Sequence, residues 1–388
     1  MSALRDKIEQ EIRDRGPIPF SRYMEMCLYD PELGYYSRNA EQFGKAGDFY
    51  TSSDVHAVFG RLMARQFDEM WRVLGSPDRI VLRELGPGRA LFARDVLDWS
   101  EKKFPNFFRT IQYELIESSP ALRVRIEENL KRHIDTGRAH LASVACSTNG
   151  KGRTSVLPTA PDEEALAAEG PTILFANEFF DALPVEIVCS EGSLRIASRD
   201  GRFVETWTDS SAEELEFLDR YSVHPEAGER IEVPVAIQKY ADNVFASINR
   251  GFAIVIDYGY TREEQLAGRH RGTLKAIRKH SVSANPYEAP GEQDITADVN
   301  FTAIAAVAEK HEMTVQKLIT QSQFLMGIGE ANQFADAFED CSLPQVALQL
   351  KHLVTPAGMG ESFHVLVASK GVAAEKVTAL AGLSFGQA

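Results

Sequence analysis

An α/β fold with a Rossmann-like, mostly parallel sheet is predicted by three observations. Short apolar runs at Ile80-Val81-Leu82, Ile111–Ile116, Thr172-Ile173-Leu174-Phe175-Ala176 and Phe252-Ala253-Ile254-Val255-Ile256 read as strands buried on both faces. Helical patterns lie between most of them, as a parallel sheet requires of its crossovers. A glycine turn, Gly86-Pro87-Gly88, joins the first run to a helical pattern through Val96, Leu97 and Trp99. A chain of 388 residues, 44% hydrophobic and 25% charged, is long enough to bury such a core and carry additions to it.

In chain order, residues 3–15 form an amphipathic helix stopped by Gly16-Pro17, and a second helix ends before Asp30-Pro31. A long loop rich in aromatics and glycine follows, including Gly47-Asp48-Phe49-Tyr50-Thr51-Ser52-Ser53. It is expected to fold over a cofactor, with Phe49 or Tyr50 stacking and Thr51 and Ser52 donating hydroxyls to a carboxylate, or to cap the helix that starts near Val55. Residues 1–75 are thus an N-terminal helical extension, and residues 76–370 the core. Within the core, residues 123–133 read as a charged helix and 138–145 as a third strand. Alternation from 186 to 207 around Ser198-Arg199-Asp200-Gly201 marks inserted antiparallel strands, and a helix near 235–249 leads back to the sheet. Insertions are placed at about 186–245 and 261–300. The basic stretch 268–294 is a solvated face or a substrate lid. The last strands are expected at 316–320 and 363–368, and residues 371–388 as a loosely held tail.

The turn after the first strand is a cofactor site in prospect. Gly86 and Gly88 lack Cβ atoms, so backbone N–H groups can approach a ligand, and the helix start favours negative charge. The dinucleotide fingerprint needs a third glycine where Leu91 stands, which counts against NAD. S-adenosylmethionine suits Glu84-x-Gly86-x-Gly88 better, since its amino-acid end carries both an ammonium and a carboxylate. Glu84 can hold the ammonium, and Glu117, at the end of the next strand, can accept from ribose hydroxyls.

The run Asn177-Glu178-Phe179-Phe180-Asp181-Ala182-Leu183-Pro184-Val185 follows another strand, where open α/β sheets place their chemistry. Glu178 and Asp181, one helical turn apart, would converge on a cation or serve the first turn of a helix. Asp257, after the Phe252–Ile256 run, is the weaker, structural candidate.

Lys+Arg of 42 against Asp+Glu of 56 gives a net charge of −14, which disfavours nucleic acid as a main partner and suits a basic protein segment. Cys27, Cys146, Cys189 and Cys341 have no paired spacing, so neither a disulfide framework nor a metal site is expected. No apolar run is long enough to span a bilayer, and the first ten residues mix both charge signs, unlike a targeting peptide. A cytoplasmic location is expected.

Together, Gly47-Asp48-Phe49-Tyr50-Thr51-Ser52, Glu84-Leu85-Gly86-Pro87-Gly88, Tyr113-Glu114-Leu115-Ile116-Glu117-Ser118-Ser119-Pro120, the Asn177–Val185 run, Asp257-Tyr258-Gly259-Tyr260 and Gly272-Thr273-Leu274 resemble the MidA-like family over nearly the whole chain. The resemblance implies a class I methyltransferase fold using S-adenosyl-L-methionine at Gly86, Gly88 and Glu117, with Asn177, Glu178 and Asp181 facing the reaction. Mitochondrial members are protein arginine methyltransferases that act in respiratory complex I assembly, so the implied substrate is an arginine of a protein, with a complex I subunit as the example. Small-molecule methylation and a cofactor-binding assembly factor with little turnover are the alternatives. Two departures stand out: Ala90 where the family turn often has glycine, and Asp298 and Asn300 within Asp294-Ile295-Thr296-Ala297-Asp298-Val299-Asn300-Phe301, where Thr-Ala-His-Val-Asp is more usual.

Overall fold

The apolar runs become the inner strands of one sheet. The computed structural model describes residues 3–37, 57–143, 148–149, 153–154, 170–278, 281–283, 285–339, 343–356 and 358–385. Its main strands are β1 (Ile80–Leu85), β2 (Ile111–Ile116), β3 (Ala139–Leu141), β4 (Thr172–Asn177), β5 (Gly251–Tyr260), β6 (Thr314–Val315) and β7 (Phe363–Lys370). They lie in the order β3-β2-β1-β4-β5-β7-β6. The first five are parallel, while β7 runs antiparallel to β5 and β6. Strand order reverses between β1 and β4, and a crevice beyond the carboxyl ends of the strands at such a reversal is where open sheets bind ligands.

All six residues of β1 are buried, including charged Arg83 and Glu84. Register explains the first. Arg83 sits opposite Glu114 of β2, and their side chains form a buried ion pair, with Ser247 Oγ accepting from Arg83 Nη1 at 2.8 Å. A buried guanidinium left unpaired would cost several kcal/mol, so this partner fixes how β1 and β2 align.

Helices α1 (Ala3–Arg15), α2 (Phe20–Tyr29), α3 (Ala57–Val73), α4 (Leu91–Lys103) and α5 (Pro120–Asn129) account for the N-terminal extension and the first crossovers. α3 packs on α4 at Gly60, where an added Cβ would stand 2.7 Å from Asp95 Cβ. Phe92 of α4 stacks on Phe175 of β4 at 4.6 Å between centroids. The inserted hairpin pairs Gly192–Arg199 with Arg202–Thr208, and Asp200 (φ 51°) and Gly201 (φ 69°) supply the two positive φ angles of a type I′ turn. α1 and α2 close over this second sheet, which Ile18 and Pro19 join as a short strand.

Several expectations are corrected. Residues 371–388 are not loosely held as far as they are described: Val377 and Leu380 are buried, and the N–H of Gly382 donates to Gln66 Oε1 of α3 at 2.9 Å. Apolar spacing in this stretch is sparse, but two side chains suffice to dock it. The helix expected at 123–133 breaks at Leu130. The strand expected at 316–320 is two short pieces, Thr314–Val315 and Ile319–Thr320, both paired with β7. The stretch 268–294, expected as a solvated face or a lid, contains a small sheet formed by Lys275–Arg278 and Ser281–Ser283 with Asp294–Thr296. Among its described residues, Arg271 pairs with Glu229, Lys275 with Asp298 and Arg278 with Glu292. Among the described residues no helix is long and apolar enough to cross a membrane.

Candidate functional site

One pocket opens at the carboxyl ends of β1, β2 and β4, with about 1280 Å³ of empty space counted out to its mouth. Its floor is the glycine turn. Gly86 takes φ +61° and Gly88 φ +54°, a region that suits glycine. A Cβ on Gly86 would lie 2.6 Å from the Phe179 ring, whereas one on Gly88 would meet nothing within 4 Å. Gly88 therefore leaves its backbone bare toward the pocket. Ala90 also takes a left-handed φ of +56° as it begins α4, so the chain holds an alanine in strain where a glycine would be relaxed.

Two carboxylates flank this turn. Glu84 is buried and accepts from the Tyr113 hydroxyl at 2.7 Å. Burial pushes it up to about 8, with the Tyr113 bond opposing and the Glu117 charge adding. Glu117 Oε1 accepts the Ser119 N–H at 2.8 Å. Burial raises Glu117 to about 7 against the backbone N–H groups of Ser119, Ser118 and Gly88, so the end of β2 and the turn after β1 share one carboxylate. An ammonium and a diol would give these acids the donors that burial denies them. The residues thus fit S-adenosylmethionine, and both expected placements, Glu84 and Glu117, lie in the same pocket as Gly86 and Gly88. Phe49, Thr51 and Ser52 fall outside the described residues.

Past β4 no helix forms. Residues 178–183 are bends and turns, because Pro184 opposes helical continuation and Asp257 at the end of β5 captures the local N–H groups. Asp257 Oδ2 accepts from Phe179 at 3.2 Å, Phe180 at 2.9 Å and Asp181 at 3.3 Å, and Oδ1 from Tyr258 at 2.9 Å. The expected helical-turn spacing of Glu178 and Asp181 is therefore replaced by a loop, yet both line the pocket, as does Asn177. Glu178 has φ +51°, strained for a non-glycine residue, and accepts from Asn177 Nδ2 at 3.0 Å. Asn177 Oδ1 is buried without a hydrogen-bond partner. Asp181 is raised well above the usual carboxylate range, by burial first and then by Asp257, Asp294, Glu178 and Asp298.

Tyr29, Tyr36, Tyr258 and Asp294 also line the pocket and were not among the expected site residues. The Tyr35-Tyr36 pair in an aromatic loop was the available signal for one of them; Asp294 stood in a segment noted only for Asp298 and Asn300. Those two turn out to brace the fold. Asp298 binds Lys275 Nζ at 3.0 Å and His270 Nδ1 at 3.3 Å. Asn300 caps the helix Phe301–Lys310 by accepting the Ala303 N–H, and donates to Tyr221 O at 2.8 Å.

Comparison with known proteins agrees with this pocket. Residues 62–319 match the family model Methyltransf_28, described as S-adenosyl-L-methionine-dependent methyltransferase. The chain is 30% identical over 366 residues to protein arginine methyltransferase NDUFAF7, mitochondrial, of Danio rerio, covering 90% of this chain and 82% of the relative. It is 29% identical over 400 residues to the mitochondrial NDUFAF7 homolog of Drosophila melanogaster, covering 96% and 86%. A crystal structure of a protein from Burkholderia thailandensis bound to S-adenosyl-homocysteine superposes with a TM-score of 0.78 at 27% identity, over 98% of this chain and 94% of that one. The present chain belongs to the MidA-like family of S-adenosyl-L-methionine-dependent methyltransferases.

Proposed function

We propose that this methyltransferase acts on an arginine side chain of a protein, held by Glu178, Asp181 and Asn177. One observation carries the reading: beside the glycine turn the pocket gathers residues that bear hydrogen-bond acceptors, with Glu178, Asp181 and Asn177 lining the same space. A cationic group with several fixed N–H donors satisfies such a set, and a guanidinium is that group among side chains. The names of the curated relatives point the same way.

Bound S-adenosylmethionine supplies an electrophilic methyl carbon on a sulfonium. The remaining work falls to the chain. Transfer is an in-line displacement, so the gain comes from alignment and from excluding water. A guanidinium nitrogen is a poor nucleophile because its lone pair is delocalised. Glu178 holds the group and takes up the proton that the nitrogen sheds as it gains the methyl, the backbone or amide oxygen of Asn177 orients another N–H, Asp181 supplies the second carboxylate, and Phe179 forms an apolar wall.

A respiratory complex I subunit is the substrate proposed first, on the family resemblance, and the cytoplasm the proposed location, although the curated relatives named above are mitochondrial. Phe49, Thr51 and Ser52 are proposed to complete the cofactor site. The test is incubation with labelled S-adenosylmethionine and a lysate lacking this protein, followed by mapping of labelled peptides. Methyl groups on arginine are expected. Label confined to small molecules would overturn the reading.

A further inference from the structure

Four residues from three distant parts of the chain link the two halves of the pocket. The Ser119 N–H holds Glu117 Oε1 at 2.8 Å, and the Ser119 hydroxyl donates to the carbonyl of Tyr36 at 2.9 Å. The Tyr36 hydroxyl in turn donates to Asp294 Oδ1 at 2.9 Å. Asp294 is 4% exposed and lines the pocket that also holds Glu178 and Asp181. Tyr29 stands 5.4 Å from Tyr36 between ring centroids and donates its hydroxyl to Ala182 O at 3.0 Å, so an aromatic wall rises next to the loop that carries Asp181.

Two neighbouring acids are committed elsewhere. Asp257 spends its oxygens on four backbone N–H groups, and Asp298 is matched to Lys275 and His270. Tyr36, a neutral donor, orients one oxygen of Asp294. Among the described residues lining the pocket, Arg89 at the glycine turn is the basic one, against five carboxylates. A carboxylate oriented by a hydroxyl beside aromatic faces is suited to a planar cation, which can donate charge-assisted bonds to it and stack at once.

We infer that Asp294 is a specificity residue that receives the cationic head of the methyl acceptor, and that Tyr36 is a positioning residue acting through it. This rests on the reading that the acceptor is a cation. The chain from Glu117 through Ser119 to Tyr36 further implies that a ligand gripping Glu117 steadies Tyr36, so cofactor and acceptor bind with positive coupling.

The experiment titrates Nα-acetyl-arginine methylamide into the full-length protein saturated with S-adenosylhomocysteine, with the neutral isostere Nα-acetyl-citrulline methylamide and the corresponding lysine compound in parallel, followed by NMR. Asp294→Asn is expected to weaken arginine binding by about tenfold or more, and Tyr36→Phe by roughly three- to tenfold, with citrulline binding poorly to every form. Asp294→Glu should recover part of the loss. S-adenosylhomocysteine affinity, measured by calorimetry, should stay within about twofold in all three variants, which shows that the fold and cofactor site survive. Arginine binding should be weaker when S-adenosylhomocysteine is left out. Unchanged arginine affinity in Asp294→Asn, equal binding of citrulline, or no cation binding to the wild type would overturn the inference. Lysine binding that depends on Asp294, with arginine excluded, would keep the cation subsite and instead sink arginine as the target. Methylated arginine in a lysate together with an indifferent Asp294→Asn would do the reverse.

Discussion

The carboxylate of Asp257 accepts the backbone N–H of Phe180 at 2.9 Å, and through this and its bonds to Phe179 and Asp181 one strand end fixes the loop that brings Glu178 and Asp181 to the pocket. Replacing it with alanine strands these N–H groups in a buried site. Asp257→Ala is expected to lose about 2–4 kcal/mol of stability in urea unfolding. Burial raises Asp257, with the Glu178 charge adding and the accepted backbone N–H groups opposing; an amide keeps one acceptor oxygen for the Phe179–Asp181 N–H groups but sets its NH2 against the Tyr258 N–H. Asp257→Asn should therefore cost less than the alanine change, about 1–2 kcal/mol. Equal stability of the alanine variant and the wild type would mean that the loop is held by something else.

The glycine turn separates two effects that a single substitution would confuse. Gly86→Ala drives a methyl to 2.6 Å from the Phe179 ring at a positive φ, and should lower stability by roughly 1–3 kcal/mol even without ligand. Gly88→Val meets open space, so the folded protein tolerates it apart from backbone strain, yet the side chain occupies the ligand's approach. Calorimetry should find no S-adenosylmethionine binding to a folded Gly88→Val protein. Unchanged affinity there would remove the turn from the cofactor site.

Cofactor affinity should depend on pH through Glu117. Burial raises this acid to about 7 in the free protein, and ribose hydroxyls donate best to its ionised form. Binding is expected to tighten as pH rises through about 7 and then level off. Glu117→Gln should flatten that part of the profile and weaken binding at high pH by about 1–3 kcal/mol. For stability the sign is opposite. A carboxyl whose folded value is raised favours the folded state fully below its unfolded value, and this contribution is lost as pH climbs through about 7. The ligand-free wild type should accordingly lose stability relative to Glu117→Gln over that window, and parallel melting curves for the two would contradict the assignment.

Glu178 combines strain with chemistry. Its φ of +51° costs an ordinary residue about 1 kcal/mol that glycine does not incur. Glu178→Gly is expected to be at least as stable as the wild type while losing transfer. Glu178→Gln keeps the shape and the place beside Asn177 but removes the charge. It should bind cofactor normally and lose about a hundredfold in transfer, a barrier increase near 2.7 kcal/mol. Wild-type turnover of a protein substrate by this variant would exclude Glu178 as the orienting carboxylate, and a collapse of cofactor affinity would assign it to the cofactor instead.

The sequence alone determined what depends on near neighbours. The strand–turn–helix around Gly86 and Gly88, the carboxylate Glu117 at the end of β2 and the Asn177-Glu178 step at the end of β4 were all legible, because apolar runs mark buried strands and each polar residue lies within a few positions of its run. The hairpin turn at Asp200-Gly201 was legible for the same reason. Tertiary structure decided what depends on partners distant in the chain. Nothing local told that Arg83 would be buried against Glu114, since strand register selects that pair. The stretch after Asn177 became a loop rather than a helix because Asp257, 77 positions from Phe180, takes its N–H groups. Asp294 entered the pocket by a bond to Tyr36 across 258 positions. A contact between residues so far apart leaves no periodicity to read: it exists only once the sheet has brought its strand ends to one edge and α2 has packed beside them.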